Sequence, residues 1–226
     1  MKILVTGGLG HIGSKLIREY SKREDVELLR VFDDVSTQRF CSLFDLPERD
    51  GFRLEFVEGD IMDIDTLKKS MEGIDIVVHL ASVTDAPATI NDPELTEKVI
   101  YNGTWNCLNA AMHAKVKRFL YASTTSVYGE ADGVVDETYL DLKPASPYAE
   151  AKRKTELMIK KVARETGFCA IVLRKGTIFG TSIGMRFHTA INKFCYLASM
   201  GKPLTVWDSA LESKRPYLGL NDCIRA

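Results

Sequence analysis

The sequence predicts an α/β protein built on a doubly wound parallel sheet, and three features carry that prediction. Short β-branched runs alternate with longer amphipathic stretches, several of the runs are apolar on both faces, and a glycine-rich turn joins the first run to the first helix. A strand apolar on both faces needs cover on both, which helices packed on either side of a parallel sheet provide. The 226 residues suffice for one domain with a small appendage, and 45% apolar with 27% charged residues is globular composition. Thirty Lys and Arg against 31 Asp and Glu leave a net charge of -1, so no basic field draws the chain to nucleic acid or to an anionic membrane surface.

In chain order, strands are expected over Lys2–Thr6, Glu27–Phe32, Arg53–Val57, Ile74–Leu80, Arg118–Ala122 and Ala170–Leu173. The stretches between them have helical length and periodicity over Gly13–Lys22, Ile64–Met71, Pro93–Ala114 and Pro147–Thr166. After Arg174 the rhythm loosens into glycine-rich loops, a helix near Thr189–Met200 and a short strand over Leu204–Trp207. The chain therefore divides into a sheet domain over residues 1–173 and a small cap over 174–226. Five cysteines (Cys41, Cys107, Cys169, Cys195, Cys223) are odd in number and lack CxxC spacing, which argues against a disulfide framework or a zinc site and predicts no metal. The N-terminus lacks the regions of a signal peptide and no apolar run is long enough to span a bilayer, so the expectation is a soluble, cytoplasmic protein.

Two groups of residues point to chemistry. Thr6-Gly7-Gly8-Leu9-Gly10-His11-Ile12-Gly13 places glycines at a strand-to-helix turn, where missing Cβ atoms admit a pyrophosphate and the helix end offers N–H donors. Twenty residues past Gly13, Asp33 ends the second strand, positioned for an adenosine ribose; its charge would repel a 2′-phosphate, which favours NAD over NADP. The fold expected is thus of Rossmann type. A glycine turn with no ligand and a solvated Asp is the alternative, and Arg39 is the nearest following cation. Tyr148 and Lys152 lie one turn apart on one helix face, where an ammonium beside a phenol stabilises the phenolate. Taken alone, the same pair also fits a helix surface. Ser123, Thr124, Thr125 and Ser126 bring hydroxyls to the carboxyl end of the fifth strand, where ligands of such folds bind.

Together these residues resemble the extended short-chain dehydrogenase/reductases, specifically the NAD-dependent nucleotide-sugar epimerase/dehydratase family. The likeness runs through TGGLGHIG, Asp33, Gly59-Asp60-Ile61, His79-Leu80-Ala81, STTSVYG, SPYAEAK and Arg215. It implies that Gly7, Gly10, His11, Ile12 and Gly13 hold the pyrophosphate of NAD, Asp33 and Asp34 the ribose, and Asp60 and Ile61 the adenine. Leu80, Ala81 and Ser82 would line the cofactor. Tyr148, Lys152 and Thr124 would form the catalytic trio, with Tyr148 taking a proton from a sugar hydroxyl, usually at C4, and Lys152 also holding the nicotinamide ribose. Met185-Arg186-Phe187, Asn192, Phe194 and Arg215-Pro216 resemble one family branch and make Arg186, Asn192 and Arg215, with Thr84, Thr125 and Thr177, candidates for contacts to a nucleotide-diphosphate sugar. Surface or helix-cap roles are the alternative for Arg186 and Asn192.

Three departures accompany the resemblance. Ile100 stands where the family commonly has Asn, as does Thr177, and the chain stops at Ala226, where relatives continue to complete the substrate domain. The 174–226 segment is therefore expected to be a partial substrate-binding region. The implied protein is an NAD-dependent nucleotide-sugar epimerase that pairs as a homodimer through the helices Pro93–Ala114 and Pro147–Thr166. The rival readings are a 4-reductase or dehydratase and an NAD-binding protein without turnover. The 4,6-dehydratase branch has an Asp-Glu pair directly after the catalytic threonine, where this chain has Thr125 and Ser126. A protein without turnover would characteristically lose the Tyr and Lys pair, which this chain keeps.

Overall fold

The computed structural model describes residues 1–84, 88–131, 133–187, 189–206, 208, 211 and 214–226. Its main sheet is formed by β1 (Lys2–Thr6), β2 (Leu28–Asp33), β3 (Arg53–Glu58), β4 (Ile76–His79), β5 (Arg118–Thr124) and β6 (Ala170–Lys175), all parallel, in the order β3-β2-β1-β4-β5-β6. Alternate residues of the central strands feed two cores. On one face Leu4, Leu28, Phe32, Val77, Phe119 and Tyr121 pack with side chains of α2 (Ile64–Met71), α4 (Thr104–His113) and α5 (Pro147–Thr166). On the other, Ile3, Val5, Leu29, Val31 and Val78 pack with Leu16 and Ile17 of α1 (His11–Ser21). Both faces are covered, as the doubly apolar strands require. Among the described residues, no helix is long and apolar enough to cross a membrane.

Helix starts follow capping chemistry. Asp63 accepts from the N–H groups of Asp65 and Thr66 at the start of α2, and Ser146 accepts from Ala149 at the start of α5, with Pro147 at the first helical position. The single helix expected over Pro93–Ala114 is instead three pieces: α3 (Pro93–Glu97), a π-helical turn over Lys98–Gly103, and α4. The turn is supported from outside the segment. The Ile100 carbonyl accepts from Thr104 Oγ1 at 2.6 Å and from Thr155 Oγ1 of α5 at 3.3 Å.

Beyond β6, β7 (Thr177–Phe179) pairs with β8 (Tyr217–Gly219) in a small parallel sheet, accompanied by α6 (Ala190–Ser199) and α7 (Leu220–Arg225). The strand expected over Leu204–Trp207 is absent: residues 204–206 are exposed and without a ladder partner, and Trp207 lies outside the described residues. This region is stitched to the sheet domain. Helix α7 packs against α1, Ser182 Oγ donates to the His11 carbonyl at 2.9 Å, and the Gly184 N–H donates to Ser14 Oγ at 2.9 Å.

Candidate active site

Strand order reverses between β1 and β4, and a crevice outside the carboxyl ends of such strands is where ligands of open α/β sheets bind. The glycine turn sits there. Gly7 adopts φ +67°, and a Cβ on it would lie 2.6 Å from the Ala81 backbone nitrogen, so the turn and the end of β4 touch backbone to backbone. A Cβ on Gly13 would lie 2.6 Å from the Gly7 carbonyl oxygen. Helix α1 begins at Gly10 with no side-chain cap and no acidic residue in its first turn, although His11, Ile12 and Gly13 form that turn. An uncapped, uncompensated helix start behind a glycine turn suits a diphosphate, so the residues present fit the nucleotide cofactor.

Asp33, at the end of β2, is buried and holds the turn from the other side. Its carboxylate accepts the Leu9 N–H at 3.0 Å and the Val35 N–H at 3.0 Å. Burial raises its proton affinity, opposed by those two N–H groups and, more weakly, by the Arg39 charge. Asp34 is exposed and bonds Ser36. Asp60 is exposed and accepts the Met62 N–H, while Ile61 is buried against Gly103 and its carbonyl accepts from Asn106. Leu80, Ala81 and Ser82 continue from β4; the Ala81 N–H donates to Thr6 Oγ1 at 3.3 Å. The neighbouring His79 is fully enclosed between Thr6 Oγ1 (2.7 Å) and Thr104 Oγ1 (3.0 Å), and burial pushes it down to about 3, so it is neutral.

Thr124, Tyr148 and Lys152 come together from β5 and α5. Thr124 closes β5, where its Oγ1 accepts the Ser126 N–H at 3.1 Å and starts the 3-10 turn Thr125–Tyr128. Lys152 is 3% exposed, and its Nζ donates to the Ala122 carbonyl at 2.8 Å, lying 4.7 Å from the Tyr121 ring centre and 5.8 Å from that of Tyr148. Burial pushes Lys152 down to about 7, helped by the Lys175 charge and opposed by Glu156. The Tyr148 hydroxyl lies above its ordinary value because burial outweighs the Arg186 charge and the Thr124 hydroxyl, both of which lower it. The ammonium expected to activate Tyr148 is thus turned toward a backbone carbonyl here.

The candidate substrate residues fall into two sets. Arg186 is half-buried, its Nη2 donates to the Thr84 carbonyl at 2.8 Å, and its charge reaches Tyr148. Asn192 is 2% exposed with its amide committed to backbone: Oδ1 accepts the Gly180 N–H at 3.1 Å and Nδ2 donates to the Arg186 carbonyl at 3.0 Å. Thr125 follows Thr124 directly, whereas Thr177 is tied through its N–H to the Pro216 carbonyl in the small sheet and Arg215 is exposed next to it. Sequence reasoning named Ser123 as a strand-end hydroxyl but missed its partners Glu156 and Arg174, with which it forms a buried hydrogen-bonded cluster beside Lys152. The four-residue step from Lys152 to Glu156 was the signal available for it. It also missed Ser182 and Gly184, for which the sequence holds no local signal.

Over residues 3–226 the chain matches the NAD dependent epimerase/dehydratase family. It is 29% identical over its whole length to a protein of Bacillus subtilis named as an uncharacterized UDP-glucose epimerase, YtcB, covering 71% of it. It is 31% identical over 99% of its length to the trifunctional UDP-glucose 4,6-dehydratase/UDP-4-keto-6-deoxy-D-glucose 3,5-epimerase/UDP-4-keto-L-rhamnose-reductase of Arabidopsis thaliana, of which it covers 34%. Among solved structures, the UDP-glucuronic acid 4-epimerase of Bacillus cereus in complex with UDP-glucuronic acid and NAD superposes with a TM-score of 0.89 at 29% identity, covering 100% of this chain and 71% of that one. The glycine turn, the strand order and a family match over nearly every residue agree: the chain belongs to the NAD-dependent epimerase/dehydratase family of extended short-chain dehydrogenase/reductases.

Proposed function

We propose that the chain binds NAD and epimerises a nucleotide-diphosphate sugar through transient oxidation at C4. The observation that carries this reading is the convergence of Thr124, Tyr148 and Lys152 at the carboxyl end of the sheet that also carries the glycine turn. Gly7, Gly10, Ile12 and Gly13 would hold the pyrophosphate, and Asp33 the adenosine ribose. When bound, NAD supplies the acceptor and donor of a hydride for the sugar carbon. Tyr148 takes the proton of the sugar hydroxyl and returns it, Thr124 orients that hydroxyl, and a protonated Lys152 stabilises the phenolate. Arg186 and Arg215 suit the substrate's phosphates, because a guanidinium fork matches phosphate oxygens. Asn192 would act by holding the Arg186 backbone in place.

The plant relative's name includes a dehydratase, which needs an additional acid and base beside the hydride site. Here the two residues after Thr124 are Thr125 and Ser126, and the Thr124 hydroxyl donates to Ser126 Oγ at 3.1 Å. Hydroxyls donate hydrogen bonds but do not readily cycle a proton at neutral pH, so elimination is disfavoured. We also propose that two copies pair through the Pro93–Ala114 stretch and α5, where Tyr101 of the π-helical turn with Leu157 and Met158 of α5 forms a half-exposed apolar strip flanked by Glu97, Lys154 and Lys161.

The test is turnover with NAD on UDP-, dTDP-, GDP- and CDP-hexoses, followed by NMR and mass spectrometry. The expected product keeps the substrate's mass and shows a new sugar signature, and Tyr148→Phe abolishes its formation while NAD still binds. Loss of one water from any sugar overturns the epimerase reading in favour of elimination. NAD binding without conversion of any sugar overturns it in favour of a protein without turnover.

A further inference from the structure

Beside the reacting groups lies a buried charged cluster that the proposed chemistry does not use. Glu156 follows Lys152 by four residues and Tyr148 by eight, so all three share one face of α5 over roughly 12 Å. It is 4% exposed. Its carboxylate accepts from Ser123 Oγ of β5, from Arg174 Nε of β6 at 3.1 and 3.2 Å, and from Arg174 Nη2 at 2.8 Å, with Arg153 Nη1 at 3.5 Å on its outer side. The sheet register pairs Ser123 with Arg174 and, one step on, Thr124 with Lys175. Paired residues of parallel strands share a face and successive residues alternate, so the cluster grips the two strands one residue before their functional ends. The Arg174 guanidinium also covers the Tyr128 ring at 4.8 Å.

A carboxylate whose oxygens are filled by charge-assisted hydrogen bonds from two strands is a stiff joint. We propose that Glu156 is a positioning residue: through Ser123 and Arg174 it fixes how α5 docks on β5 and β6, and so how Tyr148 and Lys152 meet Thr124. This inference rests on the reading of those three residues as the reacting groups. The joint has an electrostatic consequence. Lys152 faces Tyr148 and Glu156 on its own helix, the Tyr121 ring and Ala122 carbonyl of β5, Lys175 of β6, and the neutral His79 of β4. Of these, Glu156 carries the one negative charge, and it opposes both burial and Lys175.

The Lys152 ammonium is followed by NMR in lysine-labelled protein, its signal assigned by its loss in Lys152→Met. Titration of Glu156→Gln is expected to show a proton affinity lower than wild type by about tenfold, one pH unit, with NADH binding weakened several-fold. Glu156→Asp, which keeps the charge, is expected to restore most of both. A folded Glu156→Gln that titrates and binds NADH as wild type does overturns the proposal, as does a Glu156→Asp that falls as far as the Gln variant. Should Glu156→Gln fail to fold, the paired Glu156→Met, Arg174→Met variant removes both charges and fills the space. Weakened NADH binding there supports the positioning role and wild-type binding refutes it, because removing the Arg174 cation with the Glu156 anion leaves the charge balance at Lys152 nearly even. No readout needs turnover, so a chain that binds NADH and converts no sugar fails the epimerase reading alone.

Discussion

Asp33 performs two tasks with one carboxylate. It pins Leu9 and Val35 through their N–H groups, and it presents buried negative charge where the cofactor's ribose is proposed to lie. A 2′-phosphate would meet that charge, which the Arg39 cation offsets only weakly. NAD is expected to bind at least about tenfold more tightly than NADP, equivalent to about 1.4 kcal/mol. Calorimetric titration with both cofactors checks it, and tighter NADP binding would reverse the assignment. Lys152 carries a measurable cost. Its proton affinity falls from an ordinary 10.5 in the unfolded chain to about 7 in the fold. Between those values the unfolded chain holds a proton that the folded chain lacks, so stability rises with pH across the window and the penalty is complete below pH 7. The difference corresponds to about 5 kcal/mol, against about 1 kcal/mol for the hydrogen bond to the Ala122 carbonyl. Lys152→Met is therefore expected to melt above wild type at pH 6 and to lose that advantage toward pH 10. A variant melting below wild type at pH 6 contradicts the buried-charge account.

At the scale of elements, α5 carries both Tyr148 and Lys152 in its first two turns, so its start matters more than its length. Ser146→Ala removes the cap on the Ala149 N–H and should cost about 1 kcal/mol, read as a lower urea midpoint with an unchanged slope. The main strands, α1, α2 and α5 were legible because their signals are local: periodicity, Pro147 after a capping serine, glycines at the turn. What escaped was fixed from outside each segment. The π-helical turn depends on Thr155 reaching the Ile100 carbonyl from another helix, and nothing within Pro93–Ala114 announces that. Strands β7 and β8 have three residues each and form only by meeting across a long chain separation, whereas Leu204 and Val206 alternate convincingly yet find no partner. The site follows the same division. Tyr148 and Lys152 could be paired from spacing, but Ser123, Glu156 and Arg174 lie on three elements and become neighbours only when the sheet forms.

For the whole molecule, the proposed pairing through the Pro93–Ala114 stretch and α5 would bury Leu157, which is 50% exposed in the single chain. Light scattering at micromolar concentration is expected to give twice the 25.3 kDa chain mass, and Leu157→Glu to give the monomer. A monomeric wild type refutes the arrangement. The bonds from Ser182 and Gly184 to the start of α1 reach further, because they join residues 171 and 170 positions apart. During synthesis at about 5–20 residues per second, the glycine turn leaves the ribosome roughly 9–34 s before the serine that braces it. A nascent chain can assemble β1 to β6 in that interval, but its nucleotide crevice stays unbraced until Ser182 and Gly184 arrive. NAD in the surrounding solution then stabilises chains in which that brace has formed more than those in which it has not.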